Sequence, residues 1–170
     1  MALLGYSGAV IQRSVTSATN QVRITSSGGP HEPTSAFRLS ITPRRSNSNL
    51  ILHWACAVNE SGGGRNVIYS ASFQRSTDQS SWTDVSIGDS NSARDRRTSA
   101  FRPYGYDYND PQMLNVYGQD APGGTSTYYY RLVFYFDDGT PDMWFNLSSS
   151  DYSSWPWTGR MTFTITEVHA

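Results

Sequence analysis

The sequence predicts an all-β chain, an antiparallel β-sandwich or jelly-roll-like fold of roughly eight to ten short strands with no significant helix. Three observations predict it. Apolar and polar residues alternate with period two in several separate stretches, most clearly Phe37, Leu39 and Ile41 against Arg38, Ser40 and Thr42. Eleven Tyr, seven Phe and five Trp accompany many Ser and Thr, a composition that suits strands and supplies large buried areas. Clusters of Gly, Pro, Asn, Asp and Ser interrupt the pattern at short intervals, too often for a useful helix.

In chain order, residues 1 to 20 are small and polar, and Leu3, Leu4, Val10 and Ile11 repeat at no helical period. They read as an N-terminal arm that orders only against a neighbour, with a short edge strand over Ala9 to Val15 as the alternative. The remainder, 21–170, reads as one sandwich domain, since 170 residues suit a single core. Asn20 to Thr25 gives a short strand, and Ser26 to Pro33 a rigid-ended loop. The organising pair follows. Phe37 to Thr42 is a half-buried strand, Pro43 to Asn49 is a polar turn, and Leu50 to Val58 is apolar on both faces. Leu50, Leu52, Trp54, Cys56 and Val58 share one face of that strand; Ile51, Ala55 and Ala57 take the other, which predicts cover from each side.

Asn59 to Arg65 holds three successive glycines, but no Gly-Lys-Ser/Thr follows and no helix opens behind them, so a hairpin loop is expected rather than a phosphate cradle. Asn66 to Arg75 returns with Val67, Tyr69, Ala71 and Phe73 on one face. Ser76 to Ser80 turns the chain into a short strand over Ser81 to Ile87. Gly88 to Arg97 is polar and ends in a basic cluster that includes Arg96 and Arg97, able to hold phosphate or carboxylate but also typical of a solvated loop. Tyr104, Tyr106 and Tyr108 lie in a segment too broken for a central strand. Their rings suit a sugar, a neighbouring subunit or the end of a core. Gln112 to Tyr117 is a strand. Ser126 to Phe136 is the longest aromatic strand, with Tyr128, Tyr130, Leu132, Phe134 and Phe136 facing one way and Tyr129, Arg131, Val133 and Tyr135 the other. Asp137 to Pro141 carries an Asp-Gly pair that suits a hairpin. Met143 to Leu147 returns, a Ser-rich loop holds Tyr152, Trp155 and Trp157, and Arg160 to Val168 ends the fold with Met161, Phe163 and Ile165 alternating with threonines.

Composition excludes several functions. A net charge of −1 gives no long-range attraction for nucleic acid. All thirteen basic residues are Arg, which suits interfaces and equally fits a GC-rich coding bias. Cys56 is the single cysteine, so no intramolecular disulfide can form. The beginning, Met1 to Gly5, lacks a signal peptide's basic region, and no stretch is long enough to span a bilayer. The sequons at Asn59 and Asn146 are therefore read as coincidental. No enzyme is expected. His31, His53 and His169 have no metal or triad spacing to Cys56 or to a carboxylate. His53, interrupting a central strand, reads as an interior or interface side chain. Asp107, Asn109 and Asp110 fit no dedicated calcium loop, and Asp107, Asp110, Asp137, Asp138 and Asp142 are the carboxylates among which a glycosidase pair would have to lie. No cofactor and no metal is assigned.

One resemblance sharpens the reading. Ser40-Ile41-Thr42-Pro43, a Ser/Asn-rich spacer and the strand Leu50 to Val58 are followed by a Gly-rich loop and Phe73-Gln74-Arg75-Ser76-Thr77. Then come Ser126-Thr127-Tyr128-Tyr129-Tyr130-Arg131-Leu132 and the terminal Thr162-Phe163-Thr164-Ile165-Thr166-Glu167-Val168. This succession resembles a β-sandwich module of virion structural proteins in tailed phages, especially marine phages and cyanophages, found at tail-fibre ends and as small free-standing proteins. It covers about Phe37 to Ala170, departs in the spacer (Arg44-Arg45 and Asn49 replace a Ser/Thr run followed by Lys) and leaves residues 88 to 125 unaligned. The resemblance implies a homotrimer that binds without turnover, assembled in the host cytoplasm and placed on the virion. Two placements follow: a decoration or cement protein on the outer surface of the head, contacting the major capsid protein or other virion proteins, or a tail-fibre tip holding a host-surface glycan. No shaft precedes the sandwich, and residues 1 to 20 offer an adhesive arm, so decoration is the expectation. The candidate contact residues are Leu3, Leu4, Val10, Ile11, Arg96, Arg97, Tyr104, Tyr106, Tyr108, Tyr152, Trp155 and Trp157; neither nucleic acid nor membrane is expected as a partner.

Overall fold

The computed structural model describes residues 9–19, 21–60, 69–88, 96–101, 112–136, 143–146 and 160–170. They form twelve strands and a single 3-10 turn at Ser35–Phe37, an all-β sandwich of two six-stranded sheets in which every pairing is antiparallel. The strands are β1 (Val10–Ala18), β2 (Val22–Ile24), β3 (Gly28–His31), β4 (Leu39–Ile41), β5 (Asn49–Glu60), β6 (Tyr69–Ser76), β7 (Thr83–Val85), β8 (Ser99–Phe101), β9 (Gln112–Asp120), β10 (Tyr128–Phe136), β11 (Met143–Phe145) and β12 (Met161–Val168).

In the first sheet β5 is central. Along one side of it β12 and β11 run end to end, flanked in turn by β1 and β2; β9 alone covers the other side. In the second sheet β10 and β6 pair over their whole length, with β4 and β3 along the free side of β10 and β7 and β8 along that of β6. Period-two alternation turns one face of each sheet inward. Leu50, Leu52, Trp54, Cys56 and Val58 are buried from β5, and Tyr128, Tyr130, Leu132, Phe134 and Phe136 from β10, as the alternation predicts. Rings join the two layers: Trp54 meets Phe134 edge-on at 5.5 Å, and Phe73 stacks on Phe163 at 5.7 Å.

Several expectations change. β4 and β5 do not pair: the turn after Ile41 carries the chain from the second sheet to the first. The Gly-rich connection after Glu60 and the Asp-Gly connection after Phe136 likewise join strands of different sheets, so neither closes a hairpin; local turn chemistry reverses a chain without choosing its sheet. The turn at Asp78 does close one, because β6 and β7 are neighbours. Asp78 Oδ1 accepts from the Ser80 and Ser81 amides at 2.9 Å, and Gln79 takes the left-handed conformation at φ 61°. The stretch expected to be a loop before Phe37 contains β3. Residues 10–18 form no free arm but the edge strand β1, the alternative given above for Ala9 to Val15 carried on to Ala18, in register with β12 from Val10↔Val168 to Ala18↔Met161. Main-chain pairing holds them, and the inward Ser14 and Thr16 are polar, so hydropathy could not decide between arm and strand. Finally, Ile51, Ala55 and Ala57 are half-buried; the second face of β5 is not covered by a third layer of described residues.

Candidate functional site

Since paired residues share a face, register assigns every outward side chain of the first sheet. From β9 come Met113, Asn115, Tyr117 and Gln119; from β5, Asn49, Ile51, His53, Ala55, Ala57 and Asn59; from β12, Thr162, Thr164, Thr166 and Val168; from β1, Val10, Arg13, Val15 and Ser17; from β11 and β2, Trp144 and Arg23. Among the described residues the four large exposed hydrophobic side chains all belong to this face: Val10 at 64%, Val15 at 52%, Met113 at 65% and Tyr117 at 64% exposure. Its centre is Ala and Thr, and its described charges are Arg13 and Arg23, both on the strands that flank β12 and β11. The Arg23 guanidinium lies 4.5 Å above the Trp144 ring. His53 stacks flat on Tyr117, centroids 4.3 Å apart and planes 2° from parallel, and its Nε2 is 3.1 Å from Asn115 Oδ1. His53 thus stands on the outer face and not in the interior, one of the two places expected for it.

The outer face of the second sheet has the opposite character. Arg38 grips Glu32 through two 2.9 Å bonds, and Arg131 Nη1 donates to Glu32 Oε2 at 3.0 Å. Arg131 Nε donates to Gln74 Oε1 at 2.9 Å, while Gln74 Nε2 donates to Asp84 Oδ1 at 2.8 Å. Trp82 lies against both cations, 4.2 Å from Arg131 and 5.2 Å from Arg38, and Arg97 sits 3.7 Å from the Tyr135 centroid. Beneath this layer Val133 and Ser72 are fully buried although they point away from the core. The face is closed by its own side chains.

Between the sheets, polar groups plug one end. Arg75 Nη1 donates to both Asp120 oxygens at 3.0 and 2.8 Å, and Tyr130 Oη donates to Asp120 Oδ2 at 2.7 Å. Burial, then the nearby Asp120 carboxylate, raise the Tyr130 phenol well above its usual range. The buried Glu167 accepts from the Arg44 amide at 2.9 Å, from Ser48 Oγ at 2.5 Å and from Gln12 Nε2 at 2.6 Å, tying β12 to β1 and to the turn before β5. Burial pushes the Cys56 thiol up to about 12, which makes it inert as a nucleophile.

Among the described residues no group of three His, Cys, Asp or Glu can hold a metal, and no helix is long and apolar enough to cross a membrane. The three histidines stand apart: His31 Nε2 is 3.3 Å from Ser27 O, His53 is on the neutral face, and His169 follows the last strand. Asn59 and Asn146 are buried, which agrees with reading their sequons as coincidental. Of the candidate contacts, Val10 is exposed and Ile11 half-buried on β1. Arg96 donates to Gly88 O at 2.7 Å, and Arg97 packs on Tyr135 at the second sheet, so this basic pair is engaged within the chain. Leu3, Leu4, Tyr104, Tyr106, Tyr108, Tyr152, Trp155 and Trp157 lie outside the described residues, as do Asp107, Asn109, Asp110, Asp137, Asp138 and Asp142. Sequence reasoning missed Met113 and Tyr117. The signal was available: Leu114 and Val116 alternate with them, so a strand burying the former must expose the latter. The chain matches no family model and no curated protein.

Proposed function

We propose that this chain is a non-enzymatic structural protein of a phage virion, a capsid decoration protein that acts as a homotrimer and seats the outer face of its first sheet on the head lattice. The observation that carries the adhesive surface is the gathering of all four large exposed hydrophobic side chains of the described residues on one nearly uncharged face. Burying such a face against protein removes apolar area from water without stranding a charge, and interface cores are depleted in charged residues for that reason. The virion placement and the three-fold symmetry rest on the resemblance given above.

The test is co-sedimentation with phage heads that lack the protein. Wild-type protein should pellet with them, and Met113→Asp and Tyr117→Asp, each still folded by thermal melting, should remain in the supernatant. Retention of both variants on heads would remove the face from the contact. Binding to host cells with no binding to heads would transfer the reading to a fibre tip. Light scattering at micromolar concentration reads the trimer.

A further inference from the structure

The four sheet edges are not alike. β1 has a register shift between Val10 and Gln12 and carries Arg13; β2, beyond it, has three residues with Arg23 in the middle. The second sheet breaks both of its edges into short pieces: β3, with Pro30 and a register shift, next to three-residue β4, and the three-residue β7 and β8. Short strands, bulges, prolines and charges are the devices that keep edges from pairing with other chains. β9 has none of them. It runs nine residues in unbroken register with β5, and Gln112 to Gln119 contain no charge and no proline. Its one acid, Asp120, is held by Arg75. Gly118 fixes the strand against the sandwich, because a Cβ there would meet the Phe73 ring at 2.6 Å.

The direction of its main-chain groups is fixed as well. The Gln119 amide donates to Ser86 Oγ at 2.9 Å and so points away from β5. Main-chain groups alternate sides along a strand, so Met113, Asn115 and Tyr117 also aim theirs away from β5. No described strand flanks them.

We propose that β9 is a self-pairing edge that takes the β9 of a second copy, antiparallel and centred on Asn115. In that register Met113 stands opposite Tyr117 of the second copy, Asn115 opposite itself, and Leu114 opposite Val116. The pairs formed by 113, 115 and 117 each exchange two main-chain hydrogen bonds. The two most exposed apolar side chains of the strand cover each other on the same face, a thioether against an aromatic ring, and no charge enters the pairing. Self-complementarity is what a two-fold contact requires, and it selects a second copy as the occupant. The two-fold stands perpendicular to the sheet, so the neutral faces of both copies merge into one wider surface. With the trimer proposed above, three such two-folds join two trimers into a closed hexamer; without it, they give a dimer.

Sedimentation velocity on the full chain tests this, with M113K/Y117K and M113E/Y117K as variants and thermal melting as the folding control. Wild type should have an even number of subunits, two if the trimer reading fails and six if it holds. M113K/Y117K, which sets like charges opposite each other, should halve the mass to one or three subunits. M113E/Y117K, which sets opposite charges there, should keep the wild-type mass. Hydrogen exchange at the Met113, Asn115 and Tyr117 amides should be slow in wild type and in M113E/Y117K, and fast in M113K/Y117K. A wild-type mass of one or three subunits overturns the pairing, and three subunits does so while sparing the trimer. Equal disruption by both variants overturns the register.

Discussion

The two outer faces of this sandwich are built on the same inner architecture and have resolved their surfaces in opposite ways. The second sheet carries Glu32, Arg38, Arg131, Gln74 and Asp84, and each finds its partner within the chain. The Arg131 and Glu32 side chains are only 15% and 14% exposed, so their attraction is screened less than that of a surface pair. Trp82 shields them further. The outer face of the first sheet carries only Arg13 and Arg23 among its described side chains and leaves Met113 and Tyr117 in water. A face whose polar groups are mutually satisfied stabilises the monomer and has little left to offer a partner. A face of Ala, Thr and stranded apolar side chains does the reverse. The difference is the ground on which recognition is proposed for the first sheet, while the second sheet satisfies its own polar groups.

The comparison breaks most severely where the sheets meet. Trp54 and Phe134 are buried against each other at 5.5 Å, one from each sheet. Replacing either by Ala should cost about 3–5 kcal/mol in urea unfolding through lost burial and a residual cavity. Both faces should lose order together; an unaltered midpoint would mean that the rings do not bridge the layers. The next effect belongs to the second sheet alone. Arg131→Ala removes bonds to Glu32 and Gln74 and the cover on Trp82, and should cost about 2 kcal/mol. Head binding by the folded fraction should not change. A loss of binding with stability intact would mean that the charged face, too, meets a partner.

How much of this was legible follows from what each signal is. The inward sets of β5, β10 and β12 could be read directly, because a face buried by large side chains writes a period of two into the sequence. Sheet membership could not. Asp137-Asp138-Gly139 looks like a hairpin turn, yet β10 and β11 lie in different sheets, since turn residues encode a reversal and say nothing about the partner. For β1 the sequence leaves arm and edge strand open, because the inward Ser14 and Thr16 are polar and the strand's stability comes from main-chain bonds to β12. The neutral face was hidden for a related reason. Aromatics in loops draw attention, whereas alternation can show Tyr117 exposed but not that His53 and, beyond it, Thr164 lie beside it, or that Ala57 lies opposite Met113 on the same face.

The interval between the faces should also set the alkaline limit. Burial raises Cys56 from 9.0 to about 12, and Tyr130 is raised from 10.0. The folded state therefore keeps protons that the unfolded chain releases. Their contribution is whole below pH 9 and is lost as pH climbs from there towards 12, at about 1.4 kcal/mol per pH unit for each group once its unfolded form ionises. Cys56→Ala should flatten the stability profile between pH 9 and 10, whatever its effect on the plateau. Substitutions on either outer face should leave that slope alone. A slope unchanged in Cys56→Ala would show that the thiol is not shielded as its position between the sheets implies.

The smallest expected effect on stability is the most informative about the faces. Tyr117 is 64% exposed and contacts His53 by stacking, so Tyr117→Ala removes little buried area and should shift monomer stability by no more than about 0.5 kcal/mol. On the second sheet no aromatic substitution should be that mild: Trp82→Ala uncovers the ion pairs of Arg131 and Arg38 and should cost at least about 1 kcal/mol. For association the order reverses. Tyr117→Ala should weaken head binding about ten-fold or more, the loss of an aromatic anchor at a contact, while Trp82→Ala should bind normally when folded. Urea unfolding and co-sedimentation on the same two proteins measure both quantities. If Tyr117→Ala proves the more destabilising of the two, or Trp82→Ala the more weakly bound, the assignment of the faces is reversed.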